Sequence, residues 1–130
     1  MQTISVVKVF HISYAHHLPG YNGPCVNIHG HNAKIEVEFT RGASQFDSGS
    51  DYSGMLLDFR EIKKEVEPFI DNMDHAYLNE KLPGIDPPTA ENMCLWIKDF
   101  IVHSLTIGAH LSRIRIWETD DAYAEWRRDG

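Results

Sequence analysis

The chain has 130 residues, of which 42% are hydrophobic, enough for one domain of ordinary size with a real core. Its 19 acidic residues outnumber 12 Lys and Arg for a net charge of −7, which argues against non-specific nucleic-acid binding and against an anionic membrane surface. No stretch reaches 18 apolar residues, and the opening M-Q-T-I-S-V-V-K-V-F lacks the features of a signal peptide, so a cytoplasmic protein is expected, with Cys25 and Cys94 as reduced thiols.

In chain order, Ile4 to Tyr14 is rich in Val, Ile and Phe and reads as a strand, with no clear alternation to mark its buried face. His16 and His17 lie at its end. The tract L-P-G-Y-N-G-P is a loop that delivers Cys25 back toward the sheet. A second strand begins at His29. Its odd positions are His29, His31, Ala33, Ile35, Val37 and Phe39, while Lys34, Glu36 and Glu38 alternate with them, so the apolar face and the histidine face coincide. Two imidazoles in H-x-H aim together, and a third from a neighbouring strand would complete a three-nitrogen centre with an open fourth position. A thiol at Cys25 is then either a fourth ligand or a reactive group beside the metal.

The segment G-A-S-Q-F-D-S-G-S-D-Y-S-G is a polar surface loop. After Asp58, the residues Phe59, Ile62, Val66, Phe69, Ile70 and Met73 recur at helical spacing, and Pro68 predicts a kink or an early end. Asp74 and His75 follow, then a long turn through N-E-K-L-P-G-I-D-P-P. Thr89 is placed to cap a second helix with Glu91 in its first turn, a stripe of Met93, Trp96, Ile97, Phe100, Ile101 and Leu105, and Gly108 as its stop. Leu111 to Thr119 alternates again, with Ile114, Ile116 and Glu118 on one face and Arg113, Arg115 and Trp117 on the other. Asp120 and Asp121 turn the chain into a last strand. The order β-β-α-α-β-β predicts an α+β domain, a four-stranded antiparallel sheet with two helices on one face. His11, His17, His103, His110 and Cys94 read as surface or packing residues. Unaided, Asp74 and His75 read as a helix C-terminal turn.

The motifs A-H-x-L at Ala15, C-x3-H-G-H at Cys25, L-D-F at Leu57, M-D-H-x-Y-L-N at Met73, P-T-x-E-N at Pro88 and W-E-T at Trp117 resemble the pyruvoyl-tetrahydropterin synthase family. More narrowly they resemble its 6-carboxy-tetrahydropterin-forming branch in queuosine biosynthesis. The resemblance implies a T-fold over residues 1–130, zinc on His16, His29 and His31, and Cys25 as catalytic base beside Asp74 and His75. It implies Glu118 as the anchor for the pterin ring, with Thr89 among the substrate-binding residues, and a homohexamer of two stacked trimers with active sites at subunit boundaries. The expected substrate is 7,8-dihydroneopterin triphosphate, and no nucleic-acid or membrane partner is expected. Departures from the family are His17, where arginine is frequent, Ile12 in place of an aromatic residue, and a longer loop before Asp58. The C-x3-H-G-H spacing differs from the C-x5-H-G-H of biopterin-pathway members, which would make 6-pyruvoyl-tetrahydropterin. That activity, and a non-enzymatic zinc-stabilised binding module, are the alternatives.

Overall fold

A computed structural model describes residues 2–44, 54–82 and 87–129. Two long strands, β1 (Thr3–His16) and β2 (His29–Gly42), form a hairpin in unbroken antiparallel register from Thr3 opposite Gly42 to His16 opposite His29. Then come α1 (Phe59–Ile70), a two-residue strand β3 (Ala76–Tyr77), a single helical turn α2 (Leu78–Lys81), α3 (Ala90–Ser104), β4 (Leu111–Thr119) and β5 (Ala122–Arg127). The sheet order is β3-β1-β2-β4-β5, antiparallel except where β3 runs parallel to β1.

The expected α+β order holds, with two additions that sequence patterning could not show. β3 and α2 are too short to carry a periodic signal. α2 occupies part of the tract read as one long turn. Residues 83–86 of that tract and residues 45–53 of the polar loop lie outside the described residues.

Each end of the helices follows its local chemistry. Asp58 caps α1 by accepting the Arg60 backbone N–H at 2.9 Å, and Thr89 caps α3 by accepting that of Asn92 at 3.1 Å. α1 ends at Ile70, two residues past Pro68, in keeping with the early stop. Its buried stripe is Ile62, Val66 and Ile70; Phe59, expected in that stripe, is instead 53% exposed in the first helical turn. Gly108 does not stop α3, which ends at Ser104; it sits in the 3-10 turn Thr106–His110, where an added Cβ would come within 2.1 Å of the Ile101 carbonyl oxygen. Its role is close approach of two backbone segments.

The core lies between the helices and one face of the sheet. Phe10, Ile12 and Tyr14 of β1, Ala33 to Phe39 at odd positions of β2, and Ile114 and Ile116 of β4 meet Ile62, Val66, Met93 and Ile97. Complete burial of such side chains contributes about 1.5–3 kcal/mol each. The hairpin register is thereby pinned, since a one-residue slip would turn the whole set toward solvent. No helix among the described residues is long and apolar enough to cross a membrane.

Candidate active site

The hairpin register builds the site. His16 stands directly opposite His29, and Tyr14 opposite His31, so four rings gather where the core face of the β1–β2 pair runs out at the end joined by the connection through residues 17–28. Ring centroids are 4.6 Å apart for His16 and His29, 5.1 Å for His16 and His31, and 5.0 Å for His29 and His31. One nitrogen from each lies within 4.8 Å of the other two.

The hydrogen bonds of these rings decide which nitrogens are available. His16 Nδ1 is 2.7 Å from the Pro88 carbonyl oxygen, and His29 Nδ1 is 2.8 Å from that of Asn27. A carbonyl only accepts, so each Nδ1 carries the proton and each Nε2 keeps its lone pair, the orientation that backbone carbonyls impose on metal-binding histidines. His16 Nε2 and His31 Nε2 are buried with no hydrogen-bond partner. Orphaned nitrogens of this kind in an interior are costly unless something fills the space they face. His16 is 1% exposed, and burial holds its pKa below the usual imidazole value, reinforced by His29 and His31 and opposed by the Pro88 carbonyl and Glu118. A neutral, buried, pre-oriented imidazole is what a zinc ligand requires. The three-histidine set therefore fits the metal.

Cys25 lies in the 3-10 turn Pro24–Val26, anchored by the Leu18 N–H donating to its carbonyl at 2.7 Å. The half-buried thiol lines a cavity of about 810 Å³ together with the three histidines, Glu118 and Thr89. Among the described residues the group able to hold a metal contains the histidines and not Cys25.

Glu118 follows Ile114 and Ile116 on the core face of β4 and stands at an irregularity in the β4–β5 ladder, where Trp117 pairs with Tyr123 and Thr119 with Ala122, leaving Glu118 unmatched. A bulge of this kind re-aims the side chain it displaces. The carboxylate takes the Tyr14 hydroxyl on Oε1 at 3.3 Å, and its Oε2 is 3.4 Å from His31 Nε2 without hydrogen-bond geometry. Burial, then the nearby Glu118 charge, push the Tyr14 phenol well above its usual pKa, so it stays a donor. The remaining charge in the cavity is acidic: Glu91 and Glu125 line it with Glu118, while none of the Lys and Arg residues, all of which are described, does so.

Comparison with known proteins decides the family. The pattern described as 6-pyruvoyl tetrahydropterin synthase matches residues 5–129. The chain belongs to the 6-pyruvoyl tetrahydropterin synthase family. It is an enzyme of that family. It is 36% identical over 116 residues to a putative 6-carboxy-5,6,7,8-tetrahydropterin synthase of Archaeoglobus fulgidus, covering 89% of each chain. It is also 36% identical over 122 residues to the 6-carboxy-5,6,7,8-tetrahydropterin synthase of Synechocystis sp., covering 93% of this chain and 91% of that one. The solved 6-pyruvoyl tetrahydropterin synthase of Caenorhabditis elegans superposes with a TM-score of 0.84 at 23% identity, covering 99% and 98% of the two chains, and so shares the T-fold.

Within this family member, Asp74 and His75 stand apart from the three-histidine cavity. They line a second one of about 430 Å³ with His11, Ser13, Asn32 and Lys34, residues that alternate to the sheet face away from the helices. Asp74 Oδ1 accepts the Ser13 N–H at 2.9 Å and lies 3.0 Å from His75 Nδ1. The Ser13 N–H, more than the adjacent imidazole, keeps the Asp74 carboxyl below its ordinary range. His75 is held at φ 56°, a conformation rare outside glycine, while its N–H donates to the Ser13 carbonyl. One chain thus does not bring these two residues to Cys25. Tyr14 is the site residue that sequence reasoning missed, although its place two positions before His16 on a strand was the available signal. His17 is a packing residue as read: its ring stacks on Tyr77, and Asn79 brackets its backbone N–H and carbonyl, both at 2.9 Å.

Proposed function

We propose that this chain is a zinc-dependent lyase that converts 7,8-dihydroneopterin triphosphate to 6-carboxy-5,6,7,8-tetrahydropterin, releasing acetaldehyde and triphosphate, as a step toward queuosine. The observation that carries this is the group of three convergent histidines, with the Nε2 atoms of His16 and His31 unpartnered, beside a carboxylate in one cavity. Two close relatives bearing the 6-carboxy name support it.

His16, His29 and His31 hold the zinc. Zinc bound there supplies Lewis acidity toward the oxygens of the substrate's side chain. Glu118 lines the cavity, and its carboxylate has two acceptor oxygens to match the two parallel N–H donors of a 2-amino-4-oxo pterin edge. Thr89 borders the same space at the start of α3. Cys25, on the wall and outside the ligand set, takes the proton from the side-chain carbon. The Asp74–His75 pair serves proton transfer in a neighbouring copy, and the assembly is a homohexamer with its sites at subunit boundaries. An acidic cavity without Lys or Arg supports that arrangement, because a triphosphate needs cations that this wall does not provide.

The test is product identity. Zinc-loaded protein incubated with dihydroneopterin triphosphate is coupled to an alcohol dehydrogenase, and loss of NADH reports acetaldehyde. Release of triphosphate without acetaldehyde would replace this reading with 6-pyruvoyl-tetrahydropterin formation. No consumption of substrate, with zinc bound by Cys25 as well as the histidines, would favour a binding module.

A further inference from the structure

Glu118 faces two ways. Its Oε2 is 3.4 Å from His31 Nε2, one of the orphaned nitrogens directed at the proposed metal position, while its Oε1 accepts the Tyr14 hydroxyl at 3.3 Å. A carboxylate so close to a three-histidine centre is itself a good zinc ligand, and a His3Glu set would close the coordination sphere. Something must hold it off. Tyr14 is 4% exposed, its ring edge-on to His16 at 5.2 Å and tilted against His31 at 5.6 Å, so the phenol is packed in place and cannot follow the carboxylate if it swings away.

Resting on the function proposed above, we infer that Tyr14 is a positioning residue: its hydroxyl tethers Oε1 so that Glu118 serves as the acceptor for a 2-amino-4-oxo heterocycle instead of becoming a fourth metal ligand. The bulge at Glu118 gives the side chain the freedom that makes such a tether necessary.

Tyr14→Phe removes the hydroxyl and keeps the packed ring. The variant should bind the pterin about tenfold more weakly, seen as a rise in KM with a smaller change in kcat, because one hydrogen bond to a charged group no longer orients the acceptor. It should also lose zinc to a chelator more slowly than wild type, since Glu118 is free to join the histidines. In Tyr14→Phe/Glu118→Gln the extraction rate should return to that of Glu118→Gln alone. A merely structural loss would speed zinc release and would not depend on Glu118. Unchanged or faster extraction in Tyr14→Phe overturns the inference.

A second measurement needs no Tyr14 variant. Cobalt-substituted wild type and Glu118→Gln should have the same d–d absorption if the carboxylate is held off the metal; a difference would mean it already ligates, and the inference fails. Both metal measurements are made without substrate. Absence of turnover would therefore count against the proposed reaction while these comparisons still decide the role of Tyr14.

Discussion

Glu118→Gln is the perturbation whose size can be worked from the site. Tyr14 donates to Oε1, so the amide carbonyl takes that place and the NH2 falls at Oε2, beside His31. There a donor meets the second N–H of the pterin. The change deletes one charge-assisted hydrogen bond, about 1.5–3 kcal/mol, and leaves a ligand donor unpaired at a further cost of about 1–3 kcal/mol. Glu118 retains 26% side-chain exposure, so water recovers part of this loss and the lower end, about 2.5 kcal/mol, is expected. At about 1.4 kcal/mol per tenfold that is roughly 10²-fold in affinity. The assay is equilibrium titration of zinc-loaded protein with a pterin, with zinc content measured on the same samples and unchanged. A variant that binds within threefold of wild type would refute the assignment of Glu118 to the pterin edge.

His29→Ala or His31→Ala should abolish stoichiometric zinc, about one per chain in the wild type, because two neutral nitrogens hold the ion poorly; elemental analysis reads this directly, and metal-free wild type that still turns over would contradict it. Cys25→Ala should keep zinc and fold while losing about 10²-fold or more in turnover, whereas departure of zinc with the thiol would make Cys25 a ligand. Cys94 is 1% exposed with its thiol pushed up to about 12 by burial, so at pH 8 only about one in 10⁴ is thiolate. Native protein should therefore take up one equivalent of a maleimide, at Cys25, and the second only on unfolding; two equivalents in the native state would contradict the packing of Cys94. Gly108→Ala forces a Cβ against the Ile101 backbone, and an overpacking cost of about 3 kcal/mol lowers Tm by about 10 °C, measured by calorimetry; an unshifted Tm would show the 3-10 turn to be free to move.

Much of this was legible because strand alternation is strictly periodic. The coincidence of the histidine and apolar faces in β2 followed from counting odd positions, and so did the alignment of Glu118 with Ile114 and Ile116. The helix cap at Thr89 was readable because it acts over three residues of its own chain. β1 gave no such signal. Its buried face became visible only through its pairing, which set Phe10, Ile12, Tyr14 and His16 on the side already chosen by β2. Gly108 was misread because a glycine after a helix usually serves the cap, and its contact with Ile101 depends on how the chain folds back on itself.

By itself the sequence determined the order of the long elements and the H-x-H pair His29 and His31 on one strand face, since these depend on residue type and short spacing. The tertiary structure decided which nitrogen of His16 and of His29 is left free, through carbonyls of Pro88 and Asn27 that no local pattern marks as partners. It also decided that Cys25 lines the same cavity without joining the three-histidine group, and that Asp74 and His75 line the opposite face of the sheet. These outcomes turn on distances between segments far apart in the chain. Such distances are set by the packing of the whole core against the sheet, and a local stretch of residues does not encode them.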